Sequence, residues 1–313
     1  MKQRYCKSVS RQGHIFTFVL LVLLYLHLLI FIHFCYYCTR MNITAHKDLI
    51  TKAFNIKKRF LGMYKAANAG HVGCSLSVAE VITFVRFGWM VDEDEIILSK
   101  GHAAASIYSV LAEEGILSED DIKTFYKNNT YLAAHPPVNK VKRIPFATGS
   151  LGHGLSLAAG FGISYKLKKS GKKVFCITSD GELNEGTIWE AALFIAHHNL
   201  TSVVWLIDRN KIQGFGRTED VMKLEPLDKK LEAFGFNVIA VDGHDFDSLE
   251  NAKLAVETAK IPTAIICNTT KGRSWKLYED SVDCHYLPMK DDQYDLVQIE
   301  IENDFNNRIG QLA

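Results

Sequence analysis

The sequence predicts an α/β fold: a three-layer, doubly wound, mostly parallel sheet with helices on both faces. Three observations lead there. Past Met41, short apolar or β-branched runs alternate with amphipathic stretches of helical length, the order that carries parallel strands through helical crossovers. Residues 41–290 contain no internal repeat and no long Pro/Gly/Ser linker, so they read as one domain. The chain has 313 residues, 48% of them hydrophobic and 23% charged. That is enough to bury a full core, and it excludes a disordered chain, a small disulfide scaffold and a polybasic nucleic-acid tail.

The first strand is expected at Glu95–Leu98, followed by a helix over Ala103–Glu113. Ser118-Glu-Asp-Asp121 opens a further helix, with Ser118 as N-cap and acids in the first turn, where they face the positive end of the helix dipole. A helix over Gly154–Lys169 leads into the strand Lys173–Thr178, the helix Thr187–His197 and the strand Ser202–Ile207. Leu227–Phe234 (helix), Asn237–Val241 (strand), Ser248–Lys260 (helix) and Thr263–Asn268 (strand) complete the alternation. The last segment, 291–313, is polar and weakly patterned, which suits a partner contact or a loose end. Ligands of such sheets collect beyond the carboxyl ends of the strands, so the chemistry belongs in the loops that follow them.

Two of those loops carry a specific pattern. The strand Lys173–Thr178 runs into Ser179-Asp180-Gly181-Glu182-Leu183-Asn184-Glu185-Gly186, and the strand Ser202–Ile207 runs into Asp208-Arg209-Asn210-Lys211-Ile212. A carboxylate at a strand end, then a glycine at a helix entrance, can hold a hard cation while backbone N–H groups face a phosphate. One strand-helix-strand unit sets the two loops side by side, so Asp180 and the amide oxygen of Asn210 can share one metal. Taken singly, each loop reads better as a turn Asp or an Asn in left-handed geometry; the pair at this spacing reverses that and points to a site.

SDGELNEGTIWEA followed by DRNK resembles the diphosphate-binding motif of thiamine diphosphate enzymes. Further segments narrow the resemblance to the transketolase family: Ala69-Gly-His-Val-Gly-Cys-Ser-Leu-Ser77, Leu98-Ser-Lys-Gly-His-Ala103, Ala134-His-Pro136, Thr148-Gly-Ser-Leu-Gly-His-Gly-Leu-Ser156, and Thr270-Lys-Gly-Arg273 with His285 downstream. The blocks run in the family's order from about Asp48 to His285. The resemblance implies a thiamine diphosphate-binding fold. It makes Asp180, Asn210 and the carbonyl of Ile212 the ligands of Mg²⁺, or of Ca²⁺ or Mn²⁺. It makes Gly181 a diphosphate donor, with Glu182 and His102 among the cofactor contacts, and Gly149, Ser150 and Leu151 the loop against the cofactor. Glu185 matches the acid at the subunit contact, and His71, His102, His135 and His285 match histidines of the substrate channel. Imidazoles titrating near neutrality suit the loss and gain of hydroxyl protons in ketol transfer. Ser179, Val72 and His153 depart from the family's usual Gly, Pro and Gln without removing an implied ligand.

The resemblance covers only the first third to half of a full transketolase. It implies a split enzyme, in which a C-terminal partner subunit brings the pyrimidine-binding domain with its activating Glu and most contacts to the sugar phosphates, the pairs assembling further into a heterotetramer. Two other readings stand beside it: the alpha subunit of a thiamine diphosphate-dependent 2-oxo acid dehydrogenase, against which the GHVG, KGHA and AHPP histidines speak, and a non-catalytic, membrane-attached binding subunit.

The second of these draws on the amino terminus. Lys2, Arg4, Lys7, Arg11 and Arg40 precede the first acid, Asp48, and removing those five leaves 31 Lys+Arg against 35 Asp+Glu. From Ile15 to Cys38 no residue is charged, long enough for a membrane-spanning helix. An anchor with a cytoplasmic N-terminus would place the enzyme outside the cell, away from cofactor and phosphosugars. The expectation is therefore translation from Met41, with 1–40 an upstream extension and the enzyme cytoplasmic, or membrane-anchored if 1–40 are translated. Cys35 and Cys38 have half the spacing of a zinc site but no second pair. Cys74, Cys176, Cys267 and Cys284 are scattered as reduced thiols are.

Overall fold

Five strands pair, all in parallel, into one sheet: β1 (Glu95–Leu98), β2 (Val174–Ser179), β3 (Val203–Arg209), β6 (Asn237–Asp242) and β7 (Thr263–Asn268), in the order β1-β2-β3-β7-β6. β4 (Ile212–Gln213) and β5 (Gly216–Arg217) form a separate antiparallel hairpin, and the single turn α7 (Thr218–Val221) follows it. These come from a computed structural model that describes residues 44–312. The chain divides into two compact units, Met1–Asp48 with Leu312 and Leu49–Gln311 with Ala313. Of the first, the described residues are 44–48, which are helical, and 312. The apolar run 15–38, with Cys35 and Cys38, lies outside the described residues.

β2 and most of β3 are buried along their length, as expected of strands covered on both faces. On one face α5 (Gly154–Lys168), α6 (Gly186–His197) and α8 (Leu227–Ala233) close a core around Cys176, Trp205 and Ile207. On the other, Phe175 meets Trp89 edge-on at 5.1 Å, and Phe84 stacks on Phe246 of α9 (Phe246–Thr258) at 6.4 Å. This is the expected three-layer arrangement, and each of the five expected strands forms within two residues of its predicted bounds. α3 (Ala104–Glu113) forms as expected, and α4 (Glu119–Ile122) has Ser118 as its cap: the hydroxyl accepts from the Asp121 N–H at 3.1 Å, and the Asp121 carboxylate accepts from the Ser118 N–H at 2.8 Å.

Three helices go beyond the expectation. α1 is helical over 44–67, and buried Ala53, Ile56, Phe60 and Tyr64 repeat at helical spacing along it. α2 (Val72–Phe84) buries all thirteen of its residues and therefore has no polar face to announce it. Val72–Trp89 is apolar and long enough to cross a membrane, yet 83% of it is buried inside the fold, the signature of a core helix. α11 (Asp291–Gly310) forms where a polar tail is expected. Only Gln293, Val297 and Ile301 of it are buried, a stripe too narrow to stand out. Phe305 stacks on Phe54 at 4.4 Å, and Arg308 donates to the buried carboxylate of Glu80 at 3.0 Å.

Candidate active site

The parallel register sets the carboxyl ends of β2, β3 and β7 level, with Ser179 opposite Asp208 and Asp208 opposite Cys267. The sheet order changes direction between β3 and β7, where ligand sites of such sheets form. A cavity of about 270 Å³ opens there. Loops after β1, β2, β3 and β7 supply its walls, and the segment before α2 and α10 (Asp283–Tyr286) close it.

All four predicted histidines line this cavity. His71 and His285 have ring centroids 5.1 Å apart, His71 and His102 5.5 Å, and His102 and His285 5.8 Å. His71 holds left-handed backbone at φ 71°, and its N–H donates to the His285 carbonyl at 2.8 Å. Burial, with the neighbouring imidazoles His102, His285 and His135 adding to it and Cys74 opposing, lowers the His71 pKa to about 4. Burial also lowers His135. His71 is thus a neutral imidazole at pH 7.

Of the cofactor and metal residues expected, Gly149, Leu151, Asp180, Gly181, Asn210 and Ile212 line the cavity; Ser150, Glu182 and Glu185 do not. Ser150 and Glu185 are exposed. Glu182 is fully buried and takes the Ser99 hydroxyl at 2.5 Å and the N–H groups of Gly152 (3.0 Å) and Ser179 (2.8 Å). It fastens three loops of the site to one another. Two glycines let those loops meet: a Cβ on Gly101 would lie 2.6 Å from the Thr148 backbone, and Gly152 has φ +81° against Glu185.

The Asp180 carboxylate accepts from the Gly181 N–H at 2.8 Å, the Lys211 N–H at 2.6 Å and the Thr218 hydroxyl at 3.3 Å. Burial and the charge of Asp208 still raise its pKa to about 6. A fully buried carboxylate in that condition suits a hard cation beside it. With Asn210 Oδ1 and the Ile212 carbonyl it makes an all-oxygen set of the kind Mg²⁺, Ca²⁺ or Mn²⁺ prefers. Among the described residues no cluster of three His, Cys, Asp or Glu could hold a metal instead. Asn184 Nδ2 and Thr148 Oγ1, both beside the cofactor loops, are buried without a hydrogen-bond partner, which fits a site built around a polar ligand.

Lys271 belongs to the Thr270–Arg273 motif but not to the expected site residues. Its side chain is buried, and the ammonium donates to the Ile212 carbonyl at 2.9 Å and to His285 Nδ1 at 2.6 Å. An ammonium only donates, so Nδ1 must accept and the ring proton of His285 sits on Nε2. Cys74 is buried with its sulfur 3.8 Å from His285 Nδ1. Burial pushes its thiol up, but the Lys271 charge and His102 outweigh it and hold the group well below the usual thiol range. A lysine within a glycine-flanked motif was the available signal for Lys271; nothing in the sequence singled out Cys74.

The family profile described as transketolase, thiamine diphosphate binding domain, matches residues 51–308. The chain is 34% identical over 270 residues to one of the subunits of the apulose-4-phosphate transketolase of Actinobacillus succinogenes, covering 83% of this chain and 98% of that protein. It is 33% identical to the 6-deoxy-6-sulfo-D-fructose transketolase subunit SqwG of a Clostridium species, with 82% and 97% coverage. The crystal structure of transketolase from Campylobacter jejuni superposes with a TM-score of 0.77 at 26% identity, over 81% of this chain and 42% of that one. The chain thus spans about two-fifths of that full-length enzyme. It belongs to the transketolase family, and what it contributes is that family's thiamine diphosphate-binding domain.

Proposed function

We propose that this chain is the cofactor-binding subunit of a two-subunit transketolase, transferring a two-carbon ketol unit from a ketose phosphate donor to an aldose acceptor. The observation that carries the reading is the convergence of four histidines with Asp180, Asn210 and Ile212 on one cavity at the sheet's carboxyl edge. Near-complete coverage of two proteins named as transketolase subunits supports the split organisation. A partner subunit brings the pyrimidine-binding domain, and two such pairs form a heterotetramer. The enzyme works in the cytoplasm, where phosphosugars and the cofactor are found.

In this reading Asp180, Asn210 and the Ile212 carbonyl would hold Mg²⁺, and Gly181, whose N–H donates to Asp180 in the structure, would lie beside the diphosphate. Thiamine diphosphate, when bound, supplies the electron sink for the two-carbon fragment. His285, with its ring proton on Nε2, can donate it to a substrate oxygen in the cavity. His71, neutral and with its ring beside those of His102 and His285, can exchange a proton with a substrate hydroxyl without a charged resting state. Lys271 adds a buried positive charge where an anionic cofactor would lie. The histidine set favours this chemistry over 2-oxo acid decarboxylation.

Ketol transfer by the purified chain, alone and with the product of a neighbouring gene that encodes a pyrimidine-binding domain, tests the reading. Activity is expected only from the pair; substantial transfer by the lone chain would contradict the two-subunit organisation.

A further inference from the structure

Asp208, next to last in β3, is fully buried. Its Oδ2 pairs with the Lys100 ammonium, which is itself wholly out of solvent, and takes the Ser77 hydroxyl at 2.6 Å. Oδ1 takes the Thr269 hydroxyl. Lys100 also donates to the Cys74 carbonyl at 3.0 Å and the Ser77 hydroxyl at 3.3 Å. One ion pair therefore ties together α2, the loop after β1, and the ends of β3 and β7. Its remaining contact is the informative one: Asn210 Nδ2 lies 3.3 Å from Asp208 Oδ2.

A carboxylate paired with an ammonium only accepts, so the end of the Asn210 carboxamide that faces it must be the NH₂. The oxygen is then turned the other way, where it accepts from the Ile212 N–H at 3.1 Å. Flipped, the amide would set two acceptors against each other and face the cation with an NH₂. We propose that Asp208, held by Lys100, is the positioning residue that fixes the Asn210 carboxamide with its oxygen toward the cation. The proposal rests on Asn210 being a metal ligand.

The test is Mn²⁺ affinity, read by electron paramagnetic resonance with thiamine diphosphate present, on the full chain assembled with its partner; melting temperature is recorded alongside. Outer partners of metal ligands are worth about tenfold to a hundredfold in affinity, and a loss in that range is expected for Asp208→Asn. Mn²⁺ binding as tight as wild type in this variant would overturn the proposal. The exchange Asp208→Asn/Asn210→Asp sets an amide against a carboxylate again, in reverse. It is expected to bind Mn²⁺ more tightly than Asn210→Asp alone, which sets two carboxylates face to face. Equal binding by those two would also overturn the proposal, and this comparison decides the matter if Asp208→Asn does not fold. Asn210→Ala separates the proposal from the reading beneath it: unchanged Mn²⁺ affinity there would remove Asn210 from the metal site, whatever Asp208 does.

Discussion

His71 shows what the site asks of a single residue. It sits in left-handed backbone, is largely out of solvent, and has a pKa near 4 because burial and neighbouring imidazoles disfavour its charge. The unfolded chain binds a proton there near pH 6.5, so between about pH 6.5 and 4 the unfolded state holds more protons than the folded one. His71 therefore contributes stability that is complete above pH 6.5 and is lost as pH falls toward 4. Asp180, raised to about 6, acts in the opposite sense over much of that window. The difference between wild type and His71→Gln isolates the histidine. In denaturant melts the wild type should lose ground to the variant from pH 6.5 downward, with a flat difference above pH 7. Lys271 makes two charge-assisted hydrogen bonds in the cavity wall. Removing a buried interaction of that kind costs about 1.5–3 kcal/mol. Lys271→Met should weaken thiamine diphosphate binding, measured calorimetrically, by about tenfold to a hundredfold, with Lys271→Arg retaining more affinity.

At the scale of elements, legibility followed exposure of a pattern. Glu95–Leu98 and Thr263–Asn268 match their expected bounds to the residue because a short apolar run bounded by polar loops admits little else. The Ser118 cap was legible because its chemistry is local, and Ser118→Ala should cost about 1 kcal/mol in chemical denaturation. α2 was hidden by having no polar face, and α11 by a narrow buried stripe with further apolar residues, Leu296 and Ile299, left exposed beside it. α11 is nevertheless anchored, by Ile301 at 1% exposure and by the Arg308 contact to Glu80. Burial raises the Glu80 carboxyl, but the Lys57 charge and the His244 hydrogen bond outweigh it and hold it well below the carboxylate range. Ile301→Ala should destabilise the fold by about 2–5 kcal/mol; a loose terminal segment would leave the denaturation midpoint unmoved.

For the molecule as a whole, the site is a product of topology. No two of its four histidines lie in one segment of the sequence: His102 follows β1, while His71 ahead of α2, His135 between α4 and α5, and His285 in α10 fold against the same edge of the sheet. The Asp180 and Asn210 pairing was legible from one strand-helix-strand unit. The Glu182 knot and the Lys100–Asp208 pair were not, because each joins groups more than 80 residues apart. Everything proposed for the site stands on Asp180 as the anchor of a divalent cation and, through it, of thiamine diphosphate. The most direct test is calorimetric titration of thiamine diphosphate, with and without Mg²⁺, into the assembled enzyme carrying either wild-type chain or Asp180→Ala. Mg²⁺-dependent binding is expected in the wild type, and Asp180→Ala should abolish it. Unchanged affinity in the variant would contradict the role given to Asp180.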